Sequence, residues 1–153
     1  MSKSFSEKIK NKINEDLSPT RNLTGLHLKV IAAIAIIWSL FQLWYASPFP
    51  FIFNIGMFKG LPARAIHLGF ALTLAFLIYP ISKEKKISIL DIIISFIGAL
   101  SCLYIYFFYD QLVDRGGVLL NIKILENFNL PIELIIGSCG ILILLEATRR
   151  AIG

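Results

Sequence analysis

Between Ala65 and Tyr79 the chain carries no Asp, Glu, Lys or Arg. With its flanks, Leu61 to Pro80, this run nearly fills the ~30 Å hydrocarbon slab of a bilayer at the ~1.5 Å rise of a helix. Prolines close both sides, and Arg64 and His67 lie near one end. The run therefore reads as a membrane helix. Ala65, Gly69 and Thr73 recur every fourth position, with Ala71 and Ala75 in a second row. Small residues at that spacing let helix backbones approach, which predicts a segment enclosed by other helices.

The remainder of the chain agrees with a bilayer setting. Of 153 residues, 56% are apolar and 16% charged, and the mean hydropathy of +0.73 lies in the range of small polytopic membrane proteins. The formal charge of +5 does not argue for nucleic acid, because Lys and Arg gather at helix ends with no aromatic-basic face. Cys102 and Cys139 both fall in apolar stretches without a C-x-x-C spacing, which favours buried small hydrophobes over a redox pair or metal ligands.

In chain order, residues 1–26 form a basic N-terminal segment expected on the cytoplasmic side. Phe5, Ile9, Ile13 and Leu17 recur every fourth position there. The segment is either an amphipathic interfacial helix on an anionic membrane surface or a solvated tail. It does not have the form of a cleavable signal peptide, so the first helix is expected to stay in place. Residues 27–153 are expected to form a four-helix membrane domain, all-α, with helices near 28–45, 64–80, 87–109 and 131–150. The Pro- and Phe-rich stretch after Ser47 is too interrupted to span and should dip into the interface or pack on a partner.

Asp91 follows Ser88 by three residues, the spacing of a capping box. That reading is favoured over intramembrane proton chemistry. In the loop after Tyr109, Asp110, Asp114 and Arg115 are expected to pair locally, fixing the loop or meeting a partner. Pro131 suits a first helical position, and Glu133 would lie in the first turn. Glu146 precedes Arg149 by three residues and Arg150 by four, so these charges can pair along the helix surface.

Basic residues give an orientation. Six precede or begin the first helix, three lie in the middle connection and two near the C-terminus, against four in the other two loops. That bias predicts both termini on the cytoplasmic side of a bacterial or archaeal inner membrane.

Catalytic constellations are wanting: there are two histidines, and no phosphate loop, H-E-x-x-H or nucleophile elbow. A non-enzymatic role is expected, with no cofactor in this chain. Arg64 and His67, neighbours on one helix face, either recognise an anionic group or acidic partner, or snorkel to lipid headgroups and hydrogen-bond a neighbouring helix. Arg115, Glu146, Arg149 and Arg150 join them as candidate partner-docking residues, and Ala65, Gly69 and Thr73 as candidate helix-packing residues.

Several strings are more specific. Ser18-Pro-Thr-Arg21, Arg64-Ala-Ile-His-Leu-Gly-Phe-Ala71 with Tyr79-Pro80, Tyr109-Asp110 with Arg115-Gly-Gly117, and Leu145-Glu-Ala-Thr-Arg-Arg150 with Gly153 follow one another in order. Together they resemble the N-terminal membrane portion of fused permeases of tripartite ATP-independent periplasmic (TRAP) transporters of the TAXI type. The resemblance implies a small Q-type portion that braces a large M-type permease. A periplasmic TAXI-type solute-binding protein would deliver organic anions, and sodium or proton coupling would reside in the large partner. In the fused pattern the large portion follows the position of Gly153, so the resemblance implies either a separate small subunit or a piece of a fused permease. The other reading is an adaptor or assembly factor of another membrane complex.

Overall fold

A computed structural model of the chain describes residues 25–81, 87–116, 118, 121–125 and 128–152. The N-terminal stripe, the Ser18-Pro-Thr-Arg21 string and the basic connection at 82–86 lie outside the described residues. The elements are α1 (Gly25–Ala46), α2 (Phe49–Phe53), α3 (Gly60–Ile78), α4 (Ile89–Asp114), β1 (Asn121–Leu125), β2 (Phe128–Pro131) and α5 (Ile132–Ile152).

Three of these helices, α1, α3 and α4, are long and apolar enough to cross a membrane. At ~1.5 Å per residue they reach roughly 28 to 39 Å. The fourth expected span, α5, is a helix of 21 residues, but Glu133, Glu146, Arg149 and Arg150 place charge near both of its ends. Its uncharged centre runs only from Leu134 to Leu145.

The helices start and stop for local reasons. α3 begins four residues earlier than the expected position 64, because Pro62 falls in the first turn, where its missing N–H has no helical partner to lose. α4 runs on to Asp114, past the aromatic belt expected to close it. Its start is fixed by a capping box: the Leu90 N–H donates to Ser88 Oγ at 3.3 Å, and the Ser88 N–H donates to Asp91 Oδ2 at 3.2 Å. Pro131 does not open the last helix. It ends β2, paired with Asn121, and α5 begins one residue later.

The β1–β2 hairpin is antiparallel, with Ile122 opposite Leu130 and Lys123 opposite Asn129. It occupies part of the stretch that the sequence reading left as a loop. Between α1 and α3, the short α2 folds its Phe49 and Phe53 rings onto Trp44, at centroid distances of 6.3 and 6.4 Å. Gly56 continues this turn at φ +65°, and a Cβ there would stand 3.0 Å from Trp44 Nε1, so both backbone and space call for glycine.

α3 is the central helix, packed on α1, α4 and α5. Its Leu72 and Phe76 are buried with Cys102 of α4 and Ala147 of α5, and Ala75, Ile94 and Ile143 close around them. α1 buries only Ile31. At Gly98 of α4 the neighbouring helices come close: a Cβ there would lie 3.0 Å from Ile143 Cγ2 and 3.4 Å from Leu72 Cδ1.

Candidate functional site

The polar side chains separate into two groups. One lies where α3 and α5 end and α4 begins, here termed the arginine end. There Arg150 Nη1 donates to Asp91 Oδ1 at 2.6 Å, and Arg150 Nε donates to Glu146 Oε1 at 2.7 Å. The guanidinium carbon stands 4.8 Å from the centre of the Phe76 ring, so one arginine touches three helices. Arg149 grips Glu146 with two hydrogen bonds of 2.7 and 2.8 Å. The i,i+3 and i,i+4 pairs expected from the sequence are thus present, while the Asp91 pair, 59 residues away, is additional. Nη2 of Arg150 is buried without a hydrogen-bond acceptor among the described residues, and the Phe76 ring face offers a partial substitute. Asp91 serves as both cap and counter-ion.

At the opposite, aromatic end, Lys59 pairs with Asp110 and lies 5.4 Å from the centre of the Tyr109 ring. The hydrogen bond to Asp110 holds the Lys59 ammonium above its ordinary range. Arg115 pairs with Glu133, whose carboxylate also accepts from the Tyr104 hydroxyl at 3.3 Å. The local cluster expected of Asp110, Asp114 and Arg115 is therefore replaced by pairs that reach across elements. Asp110 ties α4 to the residue before α3, and Arg115 ties it to the first turn of α5.

His67 joins α3 to α1. The Trp38 indole N–H donates to His67 Nδ1 at 3.3 Å, the rings meet edge to face at 4.9 Å, and Gln42 Nε2 contacts the same nitrogen. An indole N–H only donates, so Nδ1 acts as the acceptor in this contact. Arg64, one turn away, is exposed. With Gln42, Tyr45 and His67 it lines a cleft of about 320 Å³ between α1 and α3.

The small-residue row of α3 divides in its surroundings. Ala65 is buried, whereas Gly69 and Thr73 line an open groove of about 500 Å³ between α1, α3 and α4. A Cβ on Gly69 would meet Cys102 Cβ at 3.4 Å, an ordinary contact. The Thr73 hydroxyl donates to Gly69 O at 2.8 Å, turning its polarity back into the helix. Ile34, Ile37 and Phe41 of α1 form the opposite wall. No group of His, Cys, Asp and Glu suited to a metal ion occurs among the described residues.

The chain matches no protein family, no curated protein and no solved structure. Any functional reading therefore rests on the groove, the clamped helix ends and the sequence strings themselves. Gly98 is the packing residue that the sequence reading missed. Its signal was only a single glycine within an apolar run, with Ile94 four residues before it and Cys102 four residues after.

Proposed function

We propose that this chain is the small, Q-type scaffold portion of a TRAP secondary transporter and braces a large permease partner during ion-gradient-driven uptake of organic anions. The observation that carries the reading is the groove beside Gly69 and Thr73, which is almost wholly apolar, open on one side and floored by small residues. Such a surface suits close approach of another helix in lipid, where association relies on packing rather than on hydrophobic expulsion from water. The ion pairs at the helix ends favour a brace over a translocation path, because they join helices to one another. The ordered strings around Arg64, His67 and Glu146 add the family resemblance.

In this reading α5 is a fourth span. Arg150 enters its end neutralised by Asp91 and Glu146, which lowers the cost of placing the charge near hydrocarbon. Both termini are cytoplasmic, the protein resides in a bacterial or archaeal inner membrane, and a periplasmic solute-binding protein supplies substrate. Sodium or proton coupling belongs to the large partner.

The test is co-purification. The tagged chain should retain a large permease from native membranes, and reconstituted alone it should show no gradient-driven uptake. Uptake by the isolated chain refutes the scaffold assignment, and recovery of an unrelated complex favours the adaptor reading instead. Reporter fusions near Ser47 or Leu119 should behave as periplasmic, and a cytoplasmic signal at either position overturns the orientation.

A further inference from the structure

The cleft at Arg64 has a chemistry that the helix packing does not explain. Arg115, Arg149 and Arg150 are each held by a carboxylate. Among the described residues, Arg64 has no ion pair and no hydrogen-bond acceptor. Its neighbour His67 accepts from Trp38 and contacts Gln42 through Nδ1, and its Nε2 has no partner among the described residues. Tyr45 adds a hydroxyl to the same cleft. Arg64, His67 and Tyr45 thus line one opening, and Arg64 brings a full positive charge to it.

Position narrows the ligand. Arg64 stands four residues after the start of α3 and His67 seven, so the donors lie roughly 6 to 10 Å along a helix that is long and apolar enough to cross a membrane. Phe41, Ala46 and Ala63 complete the cleft lining. Leu61 and Leu68, one turn to either side of Arg64 on α3, are exposed. A free anion would leave the two leucines beside Arg64 uncovered, whereas an anion attached to an acyl chain satisfies both the charge and the apolar surface next to it.

We infer that this cleft binds the headgroup of an anionic phospholipid, with its phosphate on Arg64 and His67 and its chain along the exposed leucines. The inference rests on the membrane setting of α1 and α3 and is independent of the transporter assignment. Guanidinium suits phosphate because its planar fork donates two parallel hydrogen bonds, and such charged bonds outweigh neutral ones.

Trp38 and Trp44 are the chain's two tryptophans, and Trp38 touches His67, so Trp44→Phe makes Trp38 the sole reporter. The full chain carrying this change is delipidated in zwitterionic micelles. It is then titrated with phosphatidylglycerol, with phosphatidylcholine of the same chain length, and with inorganic phosphate. Saturable change in Trp38 emission is expected with phosphatidylglycerol alone. Arg64→Gln should weaken it by about tenfold, the loss of one charge-assisted contact. Arg64→Lys should recover part of that loss, and Lys29→Gln, at the other end of α1, should leave it unchanged. Equal response to both lipids, or unchanged affinity in Arg64→Gln, overturns the inference. Inorganic phosphate acting as well as phosphatidylglycerol would reassign the cleft to a soluble anion. Loss of a co-purified membrane protein in Arg64→Gln with lipid affinity intact would reassign it to a partner's carboxylate.

Discussion

At the arginine end, Asp91 and Arg150 meet with side chains 0% and 2% exposed, whereas at the aromatic end Lys59 and Asp110 meet at 61% and 71%. Both pairs join separate elements of the bundle, yet their surroundings give them different weight. A buried pair has lost its water, so removing one member strands the other as an uncompensated charge. An exposed pair falls back on solvent when broken and is weakened by salt. The distance between two charges is therefore a poor guide to what their pairing holds together.

The largest effect expected is at Arg150. Arg150→Met should destabilise the bundle by about 3 to 5 kcal/mol, measured by denaturant unfolding in micelles, because it removes a buried charge partner of Asp91. Adding Asp91→Asn should recover much of that loss, since the amide oxygen can keep the cap on Ser88 without a charge. If Arg150→Met costs no more than Lys59→Met, the contrast between the ends is broken.

Next comes Gly98→Leu, which drives a side chain into Ile143 and Leu72 and should cost about 1 to 3 kcal/mol in the same assay. Gly69→Leu sharpens the contrast, because its first new contact is ordinary and its side chain can enter the open groove. It should barely move bundle stability while lowering recovery of the large partner several-fold. Equal recovery at matched expression would mean that the groove faces lipid.

The smallest effect is expected at Lys59. Lys59→Met should be indistinguishable from the unaltered chain at moderate salt. The raised folded-state value makes the sign definite: any contribution is complete below the ordinary lysine value of 10.5 and fades only as pH rises through the raised one. Stability should therefore show no step attributable to Lys59 between pH 6 and 9, and a step abolished by Lys59→Met would contradict that assignment.

The positions of the helices were legible because apolar runs and flanking prolines act locally. So were the capping box of Ser88 with Asp91 and the Glu146 pairs, which need only helical spacing. The Asp91 pair with Arg150 was not, since nothing in either residue's neighbourhood says which distant helix end it will meet. Gly98 escaped for the same reason: its close neighbour Ile143 belongs to another helix. The hairpin left a local trace, Ile122 and Ile124 alternating with polar residues and Phe128 with Leu130 beyond, which the loop reading passed over. At the candidate site, the nearness of Arg64 to His67 followed from spacing. The attachment of His67 to Trp38 and Gln42 depended on how α1 lies against α3.

The double use of Asp91 bears on the order of biogenesis. Arg150 leaves the ribosome 59 residues after Asp91, so the nascent chain carries the carboxylate before this partner exists. The Ser88 cap supplies an interim berth, because it can form as soon as the first turn of α4 does. Arrival of the last turn of α5 then acts as a latch, exchanging a hydrated acid at the membrane surface for a dry one locked between three helices.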